Sequence, residues 1–360
     1  MVKNGSKIRV ALIYGGRSGE HSVSCMTAAS VMAAIDTDRY ELIPIGIRQD
    51  GTWVAGTTDT EVLGTGTASV GPGDPVTISY GTGLIHRGNE TLEVDVVFPL
   101  LHGPFGEDGT VQGLLEMAGL KYVGSGVFAS AAVMDKHYTK IVLKEAGLPV
   151  GPWVLVTENG WATRRDEIVE QIKELAFPLF VKPSRAGSSL GISRIESLNE
   201  LDEAMRVAQE HDPKVIVEQG ISGREIECAV LGGYGTEGPR ASLPGEIVLD
   251  NPDSGFYDYE SKYVDTDGLV LQIPATMPDS DRERMRDMAL RAFEAIDGEG
   301  MARVDFFYDN GDLVINEINT IPGFTPYSMY PLMWQKTGLT YSELIDELIE
   351  LALERRVGLR

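Results

Sequence analysis

The sequence predicts an α/β unit built on a doubly wound parallel sheet, followed by two mixed α+β units. Three observations predict it. In the first third, apolar runs alternate with helical stretches, the pattern of strands that must cross over to run parallel. In the middle, FPLFVKPSRAGSSLGISRIES and KVIVEQGISGREIECAVLGG read as strands joined by glycine turns. Further on, MARVDFFYDNGDLVINEINT reads as a hairpin turning at DNG, and YSELIDELIELALERR reads as an amphipathic helix, its leucines and isoleucines at helical spacing.

Taken in order, IRVALIYGG is a buried strand and HSVSCMTAASVMAAID a helix free of Pro and Gly through Asp36. YELIPIGI is the next strand and VDVVFPLLHG another. Between them, residues 55–75 are rich in Gly and Thr without periodicity and read as an exposed loop. From residue 122, YVGSGVFASAAVMDKHYTKIVLKEAGLPVG is a short strand and then one helix, closed by Gly147 and Pro149. The middle and last units follow as strand-rich α+β segments.

Composition narrows the function. The chain has 360 residues, 42% of them hydrophobic, enough for two or three domains. A net charge of −23 excludes a general nucleic-acid binder, because a phosphate backbone would be repelled. Cys25 and Cys228 form no CxxC pair, which fits a reducing compartment. No apolar run reaches the length of a signal-peptide core or of a membrane helix, about 18 residues. The expectation is a cytoplasmic protein with neither nucleic acid nor membrane as partner.

Several stretches carry possible chemistry. GRSGEHSVS, residues 16–24, is a glycine-rich turn between strand and helix. It would suit a phosphate, except that Glu20 puts a carboxylate where a phosphate needs backbone N–H groups. In the turn from Lys182 to Gly191, small residues let N–H groups approach an anion closely. A hairpin closing over nucleotide phosphates and an ordinary surface hairpin stand there as even readings, and Lys182 adds a compact charge at the end of an apolar strand.

Asp305, Glu317 and Asn319 offer hard oxygen donors that suit Mg²⁺. If residues 310–312 form a three-residue loop, Asp305 lies opposite Glu317 and Arg303 opposite Asn319, all on one face. Two opposed carboxylates repel unless a cation lies between them, so a metal is favoured over a solvated polar face. Asn316 then falls among Val304, Phe306 and Ile318 and implies an imperfect core. HGPFGEDGTVQG lies at the C-terminal end of a parallel strand, where doubly wound sheets bind ligands. That makes His102 a candidate binder, a structural role being the commoner one for a lone histidine. FYDYESKY, residues 256–263, reads evenly as a functional loop or an exposed one. Glu225 and Glu227 share a strand face, where an acid either accepts ribose hydroxyls or is simply solvated.

In this order, GGRSGEHSVS, HGPFGEDGTVQG, KPSRAGSSLGI, VEQGISGREIECAVLG, FYDYESKY, ARVDFF and NEINTIPG resemble the D-alanine–D-alanine ligases of the ATP-grasp superfamily, from residue 7 to residue 350. The resemblance implies ATP-dependent joining of two D-alanines through an acyl phosphate, for peptidoglycan. It implies an N-terminal α/β substrate-binding domain at 1–123 and a two-subdomain ATP-grasp fold at 124–220 and 221–360. Asp305, Glu317 and Asn319 would bind two Mg²⁺ or Mn²⁺ ions. Lys136, Lys182 and Lys262 would contact ATP phosphates, Glu218 and Glu225 the adenine and ribose sides. Arg303 and the Gly323 N–H would stabilise an oxyanion, His102 would bind substrate, and Ser328 would hold the second substrate's carboxylate. Glu20 would meet the ammonium of the first D-alanine, in one hydrogen-bonded set with Ser188 and Tyr263. Dimers are common in the family, which implies a homodimer. The intact FYDYESKY favours the dipeptide over the alternative of a D-alanine–D-lactate ligase. The other alternative, a non-catalytic nucleotide-binding protein of the same fold, is disfavoured by the complete set of metal, lysine and arginine positions.

Overall fold

Strands Ile8–Gly15, Tyr40–Ile47 and Val96–Pro99 run parallel, with Ile8–Gly15 in the middle. Trp53–Ala55 adds an antiparallel edge. The computed structural model describes residues 7–187, 190–249 and 269–357, so Ser188, Lys262, Tyr263 and the FYDYESKY stretch lie outside the described residues. The central strand is apolar on both faces because both faces are covered. Ala11 and Ile13 pack with Leu101, Val111 and Leu115 on one side. Val10 and Leu12 pack on the other with Ala28 and Val31 of helix His21–Ala34. That second cluster also contains Leu344, Ile345, Leu348 and Ile349, from helix Tyr341–Glu354. A capping box of Thr340 and Glu343 starts this helix. Arg39 ties it down through Asp346 at 2.9 Å and Glu350 at 2.5 Å. No helix among the described residues is long and apolar enough to cross a membrane.

Two expectations fail locally. Residues 55–75 are not an exposed loop throughout: Thr60–Leu63 forms a helical turn capped by Asp59, and Leu63, Ala68 and Val70 are buried. The Val70 N–H donates to His21 Nε2 at 3.0 Å, which anchors the segment to the first helix. Isolated apolar anchors among glycines leave no period to read. The stretch from 122 forms two helices, Val127–Met134 and Lys136–Glu145, instead of one. Asp135 separates them with extended backbone, and its side chain accepts the His137 and Tyr138 N–H groups as an N-cap.

The second sheet is antiparallel, in the order Ser193–Ile195, Leu179–Pro183, Lys214–Gln219, Trp153–Thr157. Leu179, Val181, Val215 and Val217 face helices Arg165–Ile172 and Leu201–Gln209. By alternation Phe180, Lys182, Ile216 and Glu218 turn the other way. The chain then leaves this sheet: Arg224–Leu231 belongs to a different one, beside Met301–Asp309 and Gly245–Leu249.

In that third sheet, Met301–Asp309 pairs with Asp312–Asn319 and places Asp305 opposite Glu317 and Arg303 opposite Asn319. The register is the expected one, reached by another route. The turn has two residues, not three: Asp309 pairs with Asp312, and Asn310 and Gly311 have φ of 46° and 102°, as a type I′ hairpin requires. Uncorrected, that turn would set Asp305 against Asn316. A bulge restores the register, with Asn316 as the extra residue between the Phe306–Ile315 and Asp305–Glu317 pairs. The core is therefore not imperfect at Asn316, since Ile315 and Ile318 on either side are both buried.

Gly311→Ala should lower unfolding stability by about 1–2 kcal/mol, because an L side chain is strained at this φ. Urea unfolding measures this, and unchanged stability would contradict the turn assignment.

Candidate active site

The bulged hairpin presents one charged face. Arg303 Nε and Nη2 donate to the two oxygens of Asp305, each at 2.7 Å. Arg303 Nε also lies 3.2 Å from Glu227 Oε2, and Glu227 is in register with Asp305 on the neighbouring strand. Asn319 Nδ2 donates to Asp305 Oδ2 at 3.0 Å. Burial works against the Arg303 charge, but Asp305, Glu227 and Glu317 outweigh it and hold the guanidinium firmly protonated.

Asp305, Glu317 and Asn319 thus meet on one face. No cluster of three or more His, Cys, Asp or Glu with metal-holding geometry occurs among the described residues. The set here is two carboxylates and an amide, whose donor chemistry fits a hard divalent cation. Such a cation would have to compete with Arg303 for Asp305.

The parallel sheet delivers a second group. Gly15 and Gly16 turn sharply at φ of 90° and 100°, and a Cβ on Gly15 would lie 2.3 Å from the Ile47 carbonyl oxygen. Glu20 stands at the N-cap of helix His21–Ala34, yet its side chain makes no cap hydrogen bond. Its Oε2 lies instead where a side chain on Gly103 would begin, 2.7 Å from that Cβ position, and 3.8 Å from the same position on Gly187 of the glycine hairpin. Gly103 has φ of 71° and leaves room for the carboxylate. His102 is buried, with Nε2 3.2 Å from Thr27 Oγ1. Burial pushes its pKa down, while Glu20 and a backbone hydrogen bond to Ile321 pull the other way. The ring thus lies between the first helix and the turn that follows Asn319.

Glu107, not singled out from the sequence, faces the same cleft. Its Oε2 accepts the Gly103 N–H at 2.6 Å. Burial and the nearby Glu20 push its acid up to about 8, with Glu317 adding to the rise and Arg303 opposing it. The string HGPFGEDG showed the residue, but nothing in it separates this acid from Asp108 two positions before a helix.

The antiparallel sheet supplies the cations. Lys182 Nζ lies 2.7 Å from Glu218 Oε2, and Lys140 Nζ lies 2.8 Å from Glu218 Oε1. Burial works to raise the Glu218 acid, but the two ammoniums prevail and hold it down at about 2. Lys182 is kept charged against burial by Glu218, and by Glu317 and Glu225 of the third sheet. Lys136 Nζ donates to the Ala186 carbonyl of the glycine hairpin at 2.8 Å, and the Ser184 hydroxyl donates to Asp135 at 2.8 Å. Lys140 is a second miss; its signal was the four-residue spacing from Lys136, which sets both on one helix face.

Beyond Asn319, Ser328 occupies the N-cap of helix Met329–Thr337, and its Oγ accepts the Thr325 N–H at 3.1 Å. A Cβ on Gly323 would lie 3.2 Å from that Oγ, so Gly323 and Ser328 adjoin. A helix N-terminus of this kind suits a carboxylate.

The raised acid of Glu107 has a pH consequence. The folded state holds this proton more tightly than the unfolded chain, whose glutamate value is 4.5. The stabilising contribution is complete below about pH 4.5 and is lost as pH rises through about 8. In urea unfolding with chelator present, the wild type should lose on the order of 1–3 kcal/mol relative to Glu107→Gln between pH 5 and 9. Parallel curves would contradict the burial of this acid.

Residues 9–125 match the family model described as the D-ala D-ala ligase N-terminus, and residues 142–350 match the D-ala D-ala ligase C-terminus. A D-alanine–D-alanine ligase of Arthrobacter sp. (strain FB24) is 53% identical over 368 residues, covering 99% of this chain and 96% of the relative. Among solved structures, the VanG D-Ala:D-Ser ligase of Enterococcus faecalis superposes with a TM-score of 0.85 at 36% identity, covering 96% of this chain and 100% of that one. A D-alanine–D-alanine ligase of Bacillus anthracis complexed with ATP superposes with a TM-score of 0.72 at 26% identity, covering 96% and 97%.

Proposed function

We propose how the residues of this cleft divide the work in a chain that belongs to the D-alanine–D-alanine ligase family. The chain is an ATP-dependent ligase of ATP-grasp fold that joins two D-alanines into D-alanyl-D-alanine, a precursor of peptidoglycan. What supports the division of roles is one observation: the Arg303–Asp305–Glu317–Asn319 face stands in electrostatic reach of Glu107 from the first sheet and Lys182 from the second.

In this reading a carboxylate oxygen of the first D-alanine attacks the γ-phosphorus of ATP. The bond to the bridging oxygen breaks, ADP departs, and an acyl phosphate remains. Such a transfer depends on positioning and charge neutralisation more than on covalent help. Lys182 and Lys136 meet the phosphates beneath the glycine hairpin, with Lys262 as a further phosphate contact, and Glu218 and Glu225 border the nucleoside. Asp305, Glu317 and Asn319 would hold two Mg²⁺ or Mn²⁺ ions, which would supply positive charge to the phosphates. The amine of the second D-alanine then attacks the acyl carbon. The resulting oxyanion is met by Arg303 and the Gly323 N–H. Inorganic phosphate leaves with its electron pair as the carbonyl re-forms.

Glu20 pairs with the ammonium of the first D-alanine, with Ser188 and Tyr263 completing its hydrogen-bonded set. Glu107 holds Gly103 in the conformation that makes room for Glu20, and His102 binds substrate at the same corner. Ser328 receives the second substrate's carboxylate. Residues 1–123 form the substrate-binding domain in this scheme, and 124–220 and 221–360 the two ATP-grasp subdomains. The family resemblance supports a homodimer, which sedimentation equilibrium tests.

The decisive assay follows ADP and phosphate release with D-alanine alone, then with D-lactate or D-serine added. Dipeptide forms from D-alanine alone in this reading, and absence of turnover would sink it. Glu317→Gln should lower kcat at least about 10²-fold at saturating Mg²⁺ without loss of fold; near-normal turnover would remove the metal role. Glu20→Gln should raise the KM for the first D-alanine about tenfold or more while sparing ATP binding. Calorimetry with the reverse result would assign Glu20 to the nucleotide.

A further inference from the structure

Lys140 has no part in the scheme above, yet it is among the least exposed charged residues of the chain, at 4%. A lysine is almost never buried so deeply unless it is paired. It sits on helix Lys136–Glu145 in a row with Lys136 and Lys144, one turn apart. Like charges at this spacing weaken a helix, so the row exists for tertiary reasons, and each member finds partners outside the helix, with Lys140 and Lys144 sharing the Trp153 ring. Lys136 donates to Ala186 O. Lys144 lies over the Trp153 ring, 5.6 Å from its centre. Lys140 takes Glu218 Oε1 at 2.8 Å.

The charge count at Glu218 is uneven. One carboxylate stands between two ammoniums, Lys140 on one oxygen and Lys182 on the other, and all three side chains are largely buried. A lone Glu218–Lys182 pair would sum to zero, and the carboxylate would compete with any phosphate for the same lysine. Without Glu218, Lys182 would be a buried cation stripped of its direct ion pair, a costly state. With both lysines present, Lys182 keeps a partner while the group retains one net positive charge. The Lys182 end of the group is the one that opens toward Glu317 and Glu225.

We propose that Lys140 is a positioning residue for nucleotide binding: by holding one oxygen of Glu218, it keeps that carboxylate from giving both oxygens to Lys182 and leaves a net positive charge for the phosphates of ATP. This rests on the reading that Lys182 meets those phosphates.

The test is calorimetric titration of each variant with ATP and Mg²⁺, without D-alanine. Lys140→Met should weaken ATP binding about tenfold or more, as both Glu218 oxygens turn to Lys182. Lys140→Arg, which keeps the charge, should stay within about threefold of wild type. Once Glu218 is neutral, Lys140 has nothing to hold, so K140M/E218Q should bind ATP as Glu218→Gln does. A double variant about tenfold weaker than Glu218→Gln would overturn the proposal, because Lys140 would then act on the nucleotide itself. Unchanged affinity in Lys140→Met would overturn it too. If Lys140→Met alone does not fold, the comparison of Glu218→Gln with the double variant still decides. Lys182→Ala is the control on the underlying reading: wild-type affinity there would remove Lys182 from the phosphate site, a result distinct from failure of the Lys140 comparison.

Discussion

The cleft is organised by the repulsion among its acids. Glu20, Glu107, Glu227, Asp305 and Glu317 converge there, and the crowding pushes the Glu107 acid up and holds Arg303 firmly protonated. Left alone, such a group would spread apart or take up protons. Arg303 holds it by gripping both oxygens of Asp305 while touching Glu227. Everything else in the site follows from where that guanidinium stands. The bulge sets its register, the first sheet brings acids to its rim, and the antiparallel sheet supplies cations at the opposite wall. A substrate ammonium and divalent cations would relieve the same repulsion, so substrate entry and charge balance are one problem here.

Much of this was legible in the sequence. Strands Ile8–Gly15 and Tyr40–Ile47 follow continuous apolar runs, and such runs are hard to satisfy except in a covered parallel sheet. The pairing of Asp305 with Glu317 was legible because a three-residue loop and a two-residue loop with a bulge give the same register there. The turn itself was not. Two errors of one residue, in the loop length and at Asn316, cancel at the site, and only backbone geometry separates a three-residue loop from a two-residue loop with a bulge.

The residues that escaped share a cause. Glu107 and Lys140 carry charges that in sequence look like solvated surface, and burial is what makes them consequential. Asp135 escaped in a related way: an aspartate inside a helical run reads as a tolerated polar residue until its backbone is seen to be extended. His102 was legible as a candidate, and the fold adds what the string could not show, its contacts with Thr27 and Ile321.

One packing arrangement bears on how the molecule comes into being. The apolar face of the first parallel sheet is closed in part by Leu344, Ile345, Leu348 and Ile349. A ribosome makes these residues about 240 positions after the last strand of that sheet, while domains ordinarily fold as they emerge. The N-terminal sheet is therefore synthesised first and finished late. Until helix Tyr341–Glu354 arrives, a row of aliphatic side chains waits uncovered, so the nascent chain has a long interval in which a chaperone or a neighbouring chain could engage that face.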